Sequence, residues 1–171
     1  MSICPTRAVS ASRTRSKNTP EARPAPASDV ASAALNRIEP AGIGPDITLK
    51  AWRERRTHGL APFYVVGDAD FLARRARRLD LDVPIAVTDS ENAADLFAGH
   101  LPVVPLDLPV NAEPGLPDAS SAPAAIASIR HAVADVIAGR ARAVVTNPIA
   151  KAVLYRDGFS DPGHTEYLAR L

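Results

Sequence analysis

The sequence predicts an α/β protein with a mostly parallel sheet and helices on both faces. Two observations carry this. Short continuous apolar runs, "APFYVVGD" (61–68), "VPIAVT" (83–88) and "RAVVTN" (142–147), read as buried strands. Between them lie stretches with apolar residues at helical spacing. Strands alternating with helices form βαβ units, whose crossovers place helices over a parallel sheet.

The elements follow in order. "EPAGIGPDITLKAWRERR" (39–56) is a Gly/Pro-rich loop feeding a helix, with Ile47, Leu49, Ala51 and Trp52 apolar and Arg53, Arg55 and Arg56 after them. The run at 62–67 is a strand. "DADFLARRARRL" (68–79) spaces Phe71, Leu72, Ala76 and Leu79 as a helix face. Asp68 or Asp70 opens it and arginines close it, which suits the helix dipole. After the strand in 83–88 comes a short helix at 91–98. "LPVVPLDL" (101–108) is extended, and its prolines predict an edge position. Residues 109–120 form a loop. "SSAPAAIASIRHAVADVIAGR" (120–140) is a helix over 121–139. Ser120 or Ser121 caps it, Ile126, Ile129, Val133, Val136 and Ile137 form its stripe, and Gly139 ends it. A strand over 142–147, a tight turn and a helix over 149–157 follow.

Charge is uneven along the chain. The net charge is +1, yet residues 1–38 carry six basic and two acidic side chains, against fourteen and seventeen in the remainder. The start also lacks aromatics and is rich in Ser, Ala, Pro and Arg. Such a segment buries too little apolar surface to offset its ordering entropy, so residues 1–37 are expected to be a disordered basic tail and 38–171 a partial α/β domain. A transit peptide needs an amphipathic apolar face that this tail lacks. The near-neutral whole argues against nucleic acid and an acidic membrane surface. No apolar stretch approaches a membrane span. A single cysteine, Cys4, excludes an internal disulfide and a zinc–cysteine cluster. A cytoplasmic setting is expected.

In parallel sheets ligands bind beyond the carboxyl ends of strands, so the turns after strands matter most. In "EPAGIGPD" (39–46) the backbone N–H groups can hold an anion at a helix start; alternatively the loop is only rigid, with positive φ at Gly42 or Gly44. In "VVTNPIAK" (144–151), Asn147 and Lys151 suit a carboxylate or phosphate; alternatively Asn147 caps a helix and Lys151 is solvated. In "FSDPGHTEYLARL" (159–171), His164 is a candidate metal ligand, general base or phosphate ligand beside the hydrogen-bonding Thr165. His58, His100 and His131 have no ligand-like spacing.

Taken together and in this order, "EPAGIGPDI" (39–47), "VVTNPIAKAVL" (144–154) and "DPGHTEYLA" (161–169) resemble the 4-hydroxythreonine-4-phosphate dehydrogenases of vitamin B6 biosynthesis. The resemblance covers about residues 38–171, roughly the first half of a family subunit. It implies part of an isocitrate/isopropylmalate dehydrogenase-like fold. It also implies NAD- or NADP-dependent oxidation of a phosphorylated secondary alcohol with loss of CO2, assisted by a divalent metal, in a cytoplasmic homodimer. By the same resemblance His164 and Thr165 contact substrate, and Asn147 and Lys151 sit in the matching strand-end motif. The family's metal ligands belong to its second half, so none is expected here.

The front departs from the family, which has a short apolar strand ending in Thr-x-Gly before Glu39. Here the residues are "ALNRI", with Ile38 at the glycine position, so that strand is in question. This front and the absence of the family's second half both fit a partial or frameshifted reading of a longer gene, and the chain alone is expected to be inactive. Two other readings stand beside this one: a related dehydrogenase for another phosphorylated hydroxy acid or an aromatic dihydrodiol, and a non-enzymatic remnant. For the tail, limited proteolysis is expected to remove residues 1 to about 34 and leave a resistant remainder; amide-exchange protection within the tail would contradict this.

Overall fold

The computed structural model describes residues 33–36, 40–116, 122–147 and 164–171. Strand β2 (Phe63–Gly67) is buried along its whole length, which is why its sequence is a continuous apolar run. It lies inside one five-stranded sheet with β1 (Ala33–Asn36), β3 (Ile85–Val87), β4 (Leu101–Pro105) and β5 (Val144–Thr146). The order is β3-β4-β2-β1-β5, and every neighbouring pair is parallel.

The helices are α1 (Gly44–Arg53), α2 (Ala69–Arg78), α3 (Ala93–Leu96), α4 (Ala122–Ile137) and α5 (His164–Arg170). Successive strand residues point to opposite faces. Phe63, Val65, Leu101 and Val103 meet Leu49 and Trp52 of α1 and Phe71, Leu72 and Ala76 of α2. Ala34, Tyr64, Val66 and Val104 meet Ala93 of α3 and Ala132 of α4. Helices therefore cover both faces, as the sequence predicts. Leu49 and Leu72 are completely buried, each contributing about 2 kcal/mol by burial.

Local chemistry sets the helix ends. Asp68 caps α2 by accepting from the Phe71 N–H at 3.0 Å, and its other oxygen accepts from the Val110 N–H at 3.0 Å. One carboxylate thus starts a helix and pins the 106–112 loop. Gly139, with φ 75°, ends α4 in the left-handed region that glycine enters without a Cβ clash.

Three expectations change. The strand before residue 39 forms after all: Ala33–Asn36 pairs with β2 on one side and β5 on the other, so the sheet begins upstream of residue 38. Its apolar, small residues suit a position between two strands without the family's glycine ending. Second, 101–105 is an interior strand, not an edge. Alternate residues of a parallel strand bond to opposite neighbours: the Leu101 N–H donates to Pro84 toward β3, and the Leu106 N–H donates to Gly67 toward β2. By that alternation Pro102 faces the first residue of β2 and Pro105 faces past the end of β3. Each proline omits its donor where a neighbouring strand begins or ends.

Third, α4 buries Ala122, Ala125, Ser128, Ile129, Ala132 and Asp135, while Ile137 is 74% exposed. The small residues bring the helix close to the sheet, and the larger Ile126, Val133 and Val136 flank that seam. The expectations for residues 1–32, the Ser120/Ser121 cap and the 149–157 helix fall outside the described residues.

Asp135 is the charged centre of the α4 seam. Its carboxylate accepts from Tyr64 Oη at 2.6 Å, from Ser90 Oγ and from Arg140 Nε at 2.8 Å, with His131 Nε2 at 3.5 Å. Burial by itself raises its pKa. The hydrogen bonds from Ser90, Tyr64 and Arg140 and the His131 charge outweigh burial and hold the carboxyl below its ordinary value. Burial first, and the Asp135 bond second, push the Tyr64 phenol upward. A depressed carboxyl pKa contributes stability that is present above its unfolded value of about 3.9 and is lost as pH falls through the folded value. Urea unfolding is therefore expected to show stability falling below about pH 4. Asp135→Asn should lower stability at pH 7 and flatten that acid limb; an unchanged limb would contradict the assignment.

Candidate functional site

The crossover through α1 leaves β1 over one face toward β2. The crossover through α4 arrives over the opposite face at β5, on the other side of β1. The strand order thus reverses between β1 and β5, and the crevice beyond their carboxyl ends is where such sheets bind ligands.

Two sequence-singled loops meet there. Asn36 pairs with Thr146, so the residues after β1 and β5 leave the sheet side by side. Gly44, the first residue of α1, packs against Asn147: a Cβ on Gly44 would stand 2.9 Å from the Asn147 Cβ. Gly44 has no positive φ, so close approach and not backbone freedom requires the glycine. Asn147 is buried, and its Nδ2 donates to Thr48 Oγ1 at 3.3 Å. Thr48 Oγ1 in turn donates to the Gly44 carbonyl at 2.9 Å. This chain ties the strand-end asparagine to the first turn of α1. Among the described residues no side chain caps the start of α1, and Pro45 stands in its first turn.

The loop is also held from α2. Arg75 pairs with Asp46 through Nε and, at 2.9 Å, through Nη2, and Nη2 also donates to the Gly42 carbonyl at 3.2 Å. The Arg75 side chain is only 7% exposed. Gly42 therefore serves through its carbonyl.

The third segment is described from His164 on and reaches the same end of the sheet through α5. Asp135 sits near the start of β2, whereas Ala124 and Ser128 share a small cavity with Pro40, Gly67 and Leu106, past the ends of β1, β2 and β4. The N-terminal half of α4 is thus at the carboxyl end. Tyr167 of α5 packs on Ala122, Ala125 and Ile129 there, and its hydroxyl accepts from Arg130 Nε at 2.7 Å. His164 and Thr165 are the first residues of α5. Lys151 lies outside the described residues.

Thr48 and Arg75 were missed by sequence reasoning. Arg75 left a readable signal: it falls on the Phe71–Leu72–Ala76–Leu79 stripe, four residues after Phe71, where a solvated arginine does not belong. Thr48 lies four residues after Gly44, the spacing at which a threonine bonds back to a helix carbonyl.

Among the described residues no group of three or more His, Cys, Asp and Glu stands where it would hold a metal ion. A depression of about 550 Å3 beyond β2, β3 and β4 carries Asp68, Asp70 and Asp107 against Arg74, a charge balance that does not fit a dinucleotide pyrophosphate. No catalytic step is assigned to a metal or nicotinamide on these residues.

The strand order and the helices on both faces define a doubly wound α/β protein, with the candidate site at its topological switch point. The family model of the pyridoxal phosphate biosynthetic protein PdxA matches residues 59–171, and the chain belongs to that family. It is 58% identical over 146 residues to the 4-hydroxythreonine-4-phosphate dehydrogenase of Bradyrhizobium diazoefficiens, covering 81% of this chain and 42% of that protein. The enzyme of the same name from Xanthobacter autotrophicus is 56% identical over 135 residues, covering 79% and 39%. A crystal structure of a 4-hydroxythreonine-4-phosphate dehydrogenase from Burkholderia phymatum superposes with a TM-score of 0.72 at 26% identity, covering 82% of this chain and 43% of that one. The chain spans about two fifths of the length of the curated relatives it matches.

The Gly44–Asn147 contact is open to a direct test. Gly44→Ala is expected to destabilise by about 1–3 kcal/mol through overpacking. Asn147→Ala keeps the offending Cβ and should not relieve the strain, whereas Asn147→Gly should reduce the cost of Gly44→Ala. Equal costs in all backgrounds, measured by urea unfolding, would show that the two residues do not share the space.

Proposed function

We propose that the protein acts in oxidation, with decarboxylation, of 4-phosphohydroxy-L-threonine in pyridoxal phosphate biosynthesis. The observation that carries this reading is the Gly44–Asn147 contact beyond the ends of β1 and β5, with α5 packed through Tyr167 on the N-terminal half of α4. Gly42–Gly44, Asn147 and the His164–Thr165 start of α5 lie on separate segments of the chain, and the same segments carry the family motifs. Membership of the PdxA family and relatives named for this activity support it.

In this reading the chain's own part is to bind and orient substrate. His164 and Thr165 hold the substrate, and Asn147 and Lys151 border it. Fixed geometry of this kind converts binding into rate by removing orientational freedom before reaction. Thr48 and Arg75 act through others: Thr48 fixes Asn147, and Arg75 fixes the loop through Gly42 and Asp46. NAD or NADP accepts the hydride and a divalent metal polarises the hydroxyl when bound, and neither is assigned to a described residue. The working enzyme is a cytoplasmic homodimer in this reading. No helix among the described residues is long and apolar enough to cross a membrane.

The test is turnover of 4-phosphohydroxy-L-threonine with NAD or NADP and a divalent metal, followed by nicotinamide absorbance. The chain is assayed alone and together with the remaining length of a relative. His164→Ala in the active preparation is expected to lower kcat/KM by about 100-fold or more while leaving nicotinamide affinity within a few-fold. Lost nicotinamide binding with substrate binding intact would overturn the assignment of His164 to substrate.

A further inference from the structure

Arginine has five N–H donors in a planar fork. Arg75 commits Nε and Nη2 to Asp46 and the Gly42 carbonyl, yet its Nη1, wholly shielded, meets no acceptor among the described residues. Buried charged donors are ordinarily satisfied, so an orphaned one calls for an explanation, a bound water or ion among them. Arg75 lines a cavity of about 220 Å3 between α2 and the 111–114 loop, together with Arg74, Arg78, Asn111 and Glu113.

We propose that this cavity is a binding site for a small tetrahedral oxyanion of the phosphate type, separate from the crevice between β1 and β5. The charge balance supports an anion: Arg75 is paired with Asp46 and Arg78 with Glu113, which leaves the Arg74 guanidinium with no carboxylate partner among the described residues. Arg74 and Arg78 are four residues apart and share one side of α2, where like charges repel. Among the described residues Arg74 meets a neutral acceptor, the Val110 carbonyl at 3.0 Å, and the Phe71 ring. Arg78 is paired with Glu113 at 3.0 Å, but both are largely exposed, so this pair is weak and exchangeable. A phosphate oxyanion offers acceptors to several forked donors at once, and the Asn111 amide adds another. Size supports the class as well, because the cavity lies below the roughly 300–1,000 Å3 of sites for larger organic ligands. An anion here would also brace Arg75, and through it the Gly42 carbonyl and Asp46 of the crevice loop.

The experiment titrates the chain with inorganic phosphate at constant ionic strength, with chloride as the replaced ion, reading calorimetry and thermal unfolding. A saturable rise in Tm is expected. Arg74→Gln and Arg78→Gln alter exposed side chains and should each weaken phosphate binding about tenfold or more, with circular dichroism unchanged. Glu113→Gln should tighten it by releasing Arg78, and His164→Ala should leave it unaltered. Methyl phosphate separates the sources: an equal response indicates a phosphomonoester ligand and a phosphate-only response indicates the free ion, and either supports the site. No saturable response, or one that is the same in the Arg74→Gln/Arg78→Gln double variant, would overturn the proposal.

Discussion

Gly44 and Asn147 occupy space that a single added methyl group would contest, and the arrangement around the crevice depends on that closeness. The contact joins residues about a hundred positions apart, so its geometry is inherited from the sheet. β1 must lie between β2 and β5 for the two loops to leave side by side. Once they do, the Asn147–Thr48–Gly44 hydrogen bonds lock the start of α1 to the end of β5. A larger residue at either end of this chain would push the loops apart and open the crevice.

Among the described residues, each face of the sheet carries a polar network built on a buried charge, and each fixes a helix in place. On the α1 and α2 face, Arg75 reaches across to Asp46 and Gly42. On the α4 face, Asp135 gathers Tyr64, Ser90 and Arg140. Apolar packing is tolerant of small rotations, whereas hydrogen bonds to a buried charge are directional and costly to leave unmade. The two networks thereby set helix orientation more tightly than the apolar clusters alone. The Arg75 network is tied to the crevice loop, and the Asp135 network stands near the opposite end of the sheet.

The carboxyl end of the sheet presents backbone and short polar side chains on loops, while the other end is stapled by Asp135 and by Arg55. Arg55 stacks on Trp52 at 3.5 Å from the ring centroid and bonds the Phe97 and Ala98 carbonyls. Rigid elements at one end permit positioned loops at the other.

Much of this was legible in the sequence. Continuous apolar runs and helical spacing determine the α/β class, because burial on both faces demands the one and a single buried stripe demands the other. The glycine and proline turns marked Gly44 and Asn147 before their contact was known. Local pattern was less able to place elements laterally. Prolines in 101–108 suggested an edge, yet β4 is interior, since each missing donor falls where a neighbour begins or ends. The "AALN" run lacked its family ending and still became a strand, because pairing on both sides supplies what its local sequence does not. Nor does a sequence say that Arg75 of a basic run is buried, or that the Tyr64 hydroxyl donates a hydrogen bond to the Asp135 carboxylate 71 residues away. Those facts depend on strand order and helix placement, which arise from long-range packing, and only the tertiary structure decided them.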